Sequence, residues 1–372
     1  LVAHRYAILL LITVSSACIG IHDGGDWDLF VRPSVDVLIG RTGADPWSLY
    51  AEAPAVQIGP LALLVSAPLC LLGGWSDEAA TLMVAASWVG IVALLERLAG
   101  SLAPDRTDRH ARTAFMVGAV GAVLWHEMSH YRHLEDVLVL GATVVATLLV
   151  ARRHPVGVGL ALGVAAAAKP WGAGALPLVL ALPRARDRAI AAAVAIAIAA
   201  SSWTPFVVLD RRTVGALASF RLDVTGGSTL TLLGVDARTE MPLWVRPAQL
   251  LLALALGCLA VQRGRWLAVP LVLVSCRLLL EPASWPYYYA GLVAAAAVWD
   301  IAGSRRALPL WTSAVVFTQY DVRWLLNWSW ATAVLNLACF VAMVTLVCWP
   351  TAVKAPPRLR AEPAGTNPDR TR

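Results

Sequence analysis

The chain has 372 residues, of which 58% are hydrophobic and only 15% charged, with a formal net charge of +6 and a mean hydropathy of +0.66. A soluble domain carries roughly 25% charged residues, so this composition excludes a cytosolic enzyme, a nucleic-acid binder and a secreted disulfide scaffold. It describes a polytopic membrane protein. The basic excess is almost entirely arginine, Lys169 and Lys354 being the only lysines. Such an excess suits cytoplasmic loops better than nucleic acid. The Ala/Val/Leu/Arg/Gly bias suggests a GC-rich bacterial genome. The six cysteines are scattered through apolar runs without metal-ligand spacing and read as buried thiols.

In chain order, the apolar run 6–21 follows His4 and Arg5 and reads as an uncleaved first helix leaving the cytoplasm. Further runs cover 58–74, 79–98, 113–126, 137–151, 156–168, 171–183, 189–209, 244–262, 266–281, 287–303, 307–320 and 331–349. Between them lie short arginine-rich connections, including Arg106, Arg109 and Arg112, Arg152 and Arg153, Arg184, Arg186 and Arg188, and Arg305 and Arg306. The positive-inside rule puts all of these in the cytoplasm. That holds only if one early run fails to cross. The run 58–74, with Pro60, Pro68 and a terminal Gly73-Gly74, is the best candidate for a re-entrant or interfacial segment. Twelve spans with both termini inside follow. The tail 350–372, rich in Pro, Arg and Thr, reads as cytoplasmic and disordered.

Three outward segments are then large: 22–78, 126–136 and 210–243. The first is acidic, and its Val31, Val35 and Leu38 fall at helical spacing between Pro33 and Gly40. This predicts a short amphipathic helix on the outer membrane face. The runs 156–168 and 171–183 are each about 13 residues, roughly 20 Å of α-helix against a ~30 Å hydrocarbon core. Their junction, Lys169-Pro170-Trp171, should therefore lie below the outer surface, in protein or a wet cavity.

Four constellations can carry chemistry. Asp26-Trp27-Asp28-Leu29-Phe30-Val31, just past the first helix, offers a carboxylate as general base for a hydroxyl nucleophile; the bland alternative is a solvated acidic loop. His126-Glu127-Met128-Ser129-His130 spells H-E-x-x-H, which on a helix would place two zinc ligands one turn apart with Glu127 as base. It has no clear third ligand, and its position at a helix end leaves helical continuation open. Lys169 lies between an alanine run and Pro170-Trp171, costly in hydrocarbon unless paired, solvated or facing an anion; it could otherwise snorkel, with Trp171 as a belt aromatic. Arg277 and Glu281 are four apart and could simply pair, or Arg277 could contact a phosphate; Trp285, Tyr287 and Tyr288 follow. No strand-bounded glycine loop for a nucleotide is present, which favours a lipid-linked donor over a nucleotide sugar.

The order of these features resembles the glycosyltransferase C superfamily, and more narrowly the actinobacterial polyprenol-phosphate-mannose-dependent α-mannosyltransferases, over most of 6–349. In that family an Asp in the first outer loop, in a context like Asp-Leu-x-Val-Tyr, is the base. Asp28-Leu29-Phe30-Val31-Arg32 matches through the valine and departs at Arg32, so the resemblance implies Asp28, with Asp26 as the second candidate. It also implies that His133-Leu134-Glu135-Asp136 orients sugar or acceptor and that Trp171, Tyr287 and Tyr288 line the same site. Lys169 and Arg277 would bind the donor phosphate.

The expected protein is an all-α, twelve-span bundle, 1–349, of glycosyltransferase C type, with the outer loop 22–78 bearing amphipathic and re-entrant helices. It would sit in a bacterial plasma membrane with its site on the extracytoplasmic face. It would transfer a hexose, in the first place mannose, with inversion, from a polyprenyl-phosphate sugar to a glycolipid or glycan. Membrane lipids are its other partners, no nucleic acid is involved, and neither a cofactor nor a metal is required. The alternatives are a zinc metalloprotease built on residues 126–130 and a lipid or solute transporter.

Overall fold

A computed structural model describes residues 2–19, 25–326 and 329–348; the expected tail 350–372 lies outside them. The chain is helical nearly throughout. The first helix, α1 (Arg5–Cys18), is followed by a π-turn over Trp27–Val31, α2 (Arg32–Leu38), α3 (Leu49–Glu52) and α4 (Pro60–Cys70). The main bundle contains α5 (Ser76–Leu102), α6 (Thr107–His130), α7 (Leu134–Ala151) and α8 (Pro155–Ala168), then a 310 helix over Pro170–Ala181 and α9 (Ala185–Leu209). After α10 (Arg212–Ser219) come α11 (Val245–Gln262), α12 (Val269–Leu279), α13 (Tyr288–Val298), α14 (Leu310–Val316), α15 (Arg323–Leu326) and α16 (Ser329–Cys348). Among the described residues the β-structure is an isolated antiparallel bridge, Asp223 with Glu240.

Among the described residues, five helices are long and apolar enough to cross a membrane: Gly73–Leu102, Leu134–Ala151, Ala185–Leu209, Val245–Gln262 and Ser329–Cys348. With the helical fold, they make this an integral membrane protein. Only 11% of the most apolar stretch of Ala185–Leu209 is buried inside the protein, against 67% for Leu134–Ala151. The first therefore presents itself to lipid, whereas α7 runs through the middle of the bundle, packed on α5, α8 and α13. At 11 residues α4 is about 16 Å long, roughly half the hydrocarbon thickness.

The predicted amphipathic helix is α2. Pro33 occupies its first turn, Val31 and Val35 are buried, and Gly40 follows in the left-handed region with φ 77°. Its neighbours are held by aromatic packing: Tyr50 of α3 meets Trp203 and Phe206 of α9 at ring distances of 4.9 and 5.0 Å, and its hydroxyl donates to the Ile58 carbonyl at 2.8 Å. Further inside, Trp88 of α5 and Trp125 of α6 stack at 4.9 Å. Both indole N–H groups donate to helix carbonyls, Gly118 and Val84 respectively, which lets two polar rings lie fully in the core.

Candidate active site

Two backbone devices build the site. The first is the break between α8 and the 310 helix. A residue before proline is pushed out of the α region, and Lys169 is extended with φ −156° and ψ 134°, so α8 stops at Ala168. The expected pair of short helices is therefore an α-helix followed by a 310 helix, whose rise of about 2.0 Å per residue makes it longer than its residue count suggests. Two glycines fix this junction by close approach. A Cβ on Gly59 would lie 2.0 Å from the Ala167 carbonyl oxygen, and one on Gly172 would lie 2.3 Å from that of Ala165. The Gly59 N–H also donates to the Ala168 carbonyl at 2.8 Å. The segment before α4 is thus seated on the end of α8 beside Lys169.

The second device is the turn from α6 to α7. His133 N–H donates to the Met128 carbonyl and Arg132 N–H to that of Ser129, both at 3.2 Å, the double closure of a Schellman cap. The left-handed position usually taken by glycine is Arg132, with φ 57°. Strain of this kind, about 1–3 kcal/mol, persists where surroundings over-determine it. Here the fully buried Arg132 side chain reaches Asp28 at 3.0 Å and Asp77 at 3.9 Å, and its Nε donates to Thr81. Arg32 pairs with the same two carboxylates. Sequence reasoning missed this four-charge lock, although Arg32 was visible as the departure from the family pattern.

Beyond the turn, the side chains converge. Lys169 Nζ donates to Glu135 Oε1 at 3.0 Å and lies 3.1 Å from Asp136 Oδ1. Arg277 Nη1 reaches that same Asp136 oxygen at 3.2 Å, and Trp171 Nε1 donates to it at 3.2 Å. The Arg277 guanidinium is sandwiched between Trp171 and Tyr288, 4.4 and 4.5 Å from the ring centres. It also pairs with Glu281 at 3.5 Å, the i,i+4 contact foreseen in the sequence; Glu281 in turn holds Arg246 at 3.1 Å, which was not foreseen. The carboxylates offset the cost of burying two cations, yet an ammonium has three donors and a guanidinium five, so both retain N–H groups beyond these bonds. Trp285 stands apart, half exposed.

The two candidate bases differ in their surroundings. Asp28 lies in the lock, facing Arg132 and, at 3.6 Å, Arg32. Asp26 faces the converging cluster: its Oδ2 is 3.4 Å from His133 Nδ1, which also bonds Glu135 Oε1 at 2.8 Å. Burial pushes the Asp26 carboxyl above the usual carboxylate range, the His133 ring opposing it and the Glu135 and Asp136 charges adding to it. The His133 imidazole is fully buried and stacked on Tyr287, centroids 3.6 Å apart. His133 Nε2, Glu135 Oε2 and Asp136 Oδ2 are enclosed and without a hydrogen-bond partner among the described residues. The sequence-derived residues therefore form one site, with Asp28 at its edge.

Residues 126–130 are helical, the last turn of α6, and His126 and His130 lie on one face with rings 5.6 Å apart. Among the described residues no third His, Cys, Asp or Glu joins them in a metal-holding group. The group that does meet metal spacing is Asp26, His133 and Glu135, with ligand atoms within 4.8 Å of one another. The Lys169 ammonium already sits 3.0 Å from Glu135, so a divalent cation there would face a like charge.

This architecture, a membrane bundle of helices with a polar site at one end beneath a short-helix loop, is a glycosyltransferase C fold. The chain is similar over 93% of its length, and 76% of the other's, to the crystal structure of ArnT from Cupriavidus metallidurans bound to undecaprenyl phosphate, with a TM-score of 0.52 and 14% sequence identity. At that identity the likeness concerns the fold. No family model matches the sequence, and no curated protein matches it significantly.

Proposed function

We propose that this protein is a glycosyltransferase that moves a hexose, in the first place mannose, from a polyprenyl-phosphate donor to a hydroxyl of a glycolipid or glycan on the outer face of a bacterial plasma membrane. The observation that carries the reading is the convergence of two buried cations, Lys169 and Arg277, on one oxygen of Asp136. Lys169 lies at the break between α8 and the 310 helix and Arg277 in the last turn of α12, next to the cluster that Asp26 faces. The ArnT fold, seen with undecaprenyl phosphate bound, supports a lipid phosphate as the anion these cations meet.

In this mechanism the acceptor hydroxyl attacks the anomeric carbon from the face opposite the phosphate. Its proton passes to a carboxylate, and the bond from the anomeric carbon to the phosphate oxygen breaks. The geometry favours Asp26 over Asp28 for the base, because Asp28 is held by two arginines while Asp26 is directed to His133 and the cluster. A base raised by burial is also a stronger proton acceptor once ionised. Lys169 and Arg277 stabilise the charge growing on the departing phosphate. Inversion of a β-linked donor gives an α product. A twelve-span topology with 58–74 at the outer face, the arrangement that the loop arginines favour, would bring this site to where a lipid donor and an aqueous head group meet.

The test is transfer of label from a panel of radiolabelled polyprenyl-phosphate sugars by nanodisc-embedded protein. Transfer from the mannosyl donor with release of polyprenyl phosphate is expected. Absence of transfer from every donor, together with no binding of farnesyl phosphate, would overturn the reading.

A further inference from the structure

The H-E-x-x-H turn plays no part in the mechanism above, yet it is tied to the site by a continuous row of rings. Arg277 lies over Tyr288, and Tyr288 meets Tyr287 at 4.5 Å. Tyr287 meets Tyr131 at 5.4 Å, Tyr131 meets His130 at 5.3 Å, and His130 meets His126 at 5.6 Å. The cation that would hold the donor phosphate stands at one end of this row, and His126 at the other. Tyr131 stands beside the base: a Cβ on Gly25, the residue before Asp26, would lie 3.4 Å from its ring. His126, Glu127 and Tyr131 are all half-buried, neither packed away nor fully solvated. His126 Nδ1 is enclosed and has no hydrogen-bond partner among the described residues.

We infer that His126, Glu127 and Tyr131, backed by the buried His130, form the binding ledge for the acceptor's sugar ring, a hexopyranose. Consecutive aromatic faces and edges suit the apolar C–H face of a pyranose. A carboxylate and an imidazole nitrogen beside them suit its hydroxyls, and a few polar groups set in an aromatic wall are the usual make-up of a specificity site. An acceptor on this ledge has its free hydroxyl next to Asp26, while the donor phosphate is held at the far end of the row. The inference rests on the glycosyltransferase reading and deepens it by assigning the residues that would receive the acceptor's sugar. It also gives the two histidines a use other than zinc.

Saturation-transfer NMR on protein in nanodiscs, with octyl α-mannoside below its micelle concentration as the saccharide probe and farnesyl phosphate as the donor probe, reads the two ends separately. His126→Ala and Tyr131→Ala should each weaken octyl mannoside by about tenfold or more, the scale of one lost stacking contact with its buried area, and leave farnesyl phosphate bound. Should an alanine variant lose thermal stability, His126→Gln and Tyr131→Leu, which keep bulk without an aromatic ring, carry the test, and loss of octyl mannoside in them supports the ledge. Unchanged octyl mannoside binding in folded variants would overturn the ledge and leave the donor site standing. Wild-type protein that binds octyl mannoside but not farnesyl phosphate would overturn the donor site instead. Stoichiometric zinc lost on His126→Ala would replace the ledge by a metal site.

Discussion

The choice between Asp26 and Asp28 can be settled by a pair of isosteric substitutions whose effects fall on different observables. Asp26→Asn removes a base without changing its size, and loss of a general base lowers turnover by about 10² to 10⁴. Stability should hold or rise. The Asp26 carboxyl titrates higher in the folded chain than in the unfolded one, so the folded state holds its proton in the window between the two values and loses stability as pH rises through it. Above that window the ionised carboxylate carries that cost, and the amide removes it. Asp28→Asn acts the other way. Arg132 is fully buried and Asp28 about a quarter exposed, so a charge is withdrawn from a partly solvated pair, with Asp77 still 3.9 Å from Arg132. Breaking a wholly buried pair costs about 3–5 kcal/mol, and partial exposure with a surviving partner brings this to roughly 1–2 kcal/mol. A few degrees of Tm and a modest loss of turnover follow. Initial rates at saturating donor, with thermal unfolding of the same preparations, measure both. A dead Asp28→Asn of unchanged Tm beside a nearly wild-type Asp26→Asn would return the base to Asp28.

Three further outcomes are expected. Activity should fall with acid as the raised Asp26 carboxyl takes up its proton, and His133→Ala, which removes the ring opposing burial and leaves the Glu135 and Asp136 charges adding to it, should move the acid limb of kcat/KM to higher pH; a limb that stays or moves down would refute the contact. Lys169→Ala should reduce farnesyl phosphate affinity by tenfold or more while Lys169→Arg retains most of it, because charge outweighs donor geometry at a phosphate; equal affinity in all three would reject the phosphate role. Cysteine at Trp75, which is exposed, and at Thr107 should label from opposite sides of the membrane, since α5 between them is about 40 Å long; labelling from one side would end the twelve-span topology.

The apolar runs were legible because lipid demands continuous hydrophobicity, and each overlaps a helix among the described residues. Members of the candidate site stood out for the same reason: a lysine before Pro170 and an arginine in 266–281 are expensive in an apolar context, which singles them out as candidates. What the sequence could not order was Asp26 against Asp28. Their difference lies in partners 104 and 107 positions away, Arg132 for one and His133 for the other, and no local pattern records such pairing. Arg132 was hidden for a further reason. A left-handed cap normally announces itself by glycine, and here an arginine held by its guanidinium occupies the position. The 310 geometry of Pro170–Ala181 was likewise invisible to an apolar period, because close glycine contacts rather than amphipathicity set it.

The sharing of a single Asp136 oxygen by Lys169 and Arg277 bears on how such an enzyme would empty itself. A polyprenyl-phosphate sugar is a diester with one negative charge, whereas the polyprenyl phosphate left after transfer is a monoester approaching two. Two cations alone would hold the spent carrier more tightly than the fresh one, and the reaction would stall on its own by-product. On the proposed mechanism Glu135 and Asp136 would act as built-in competitors: as the phosphate loosened, each cation would have a carboxylate to return to at about 3 Å, so release would exchange one ionic contact for another instead of stripping two buried charges bare. Neutralising Asp136 to Asn would then strengthen retention of the carrier while slowing the cycle.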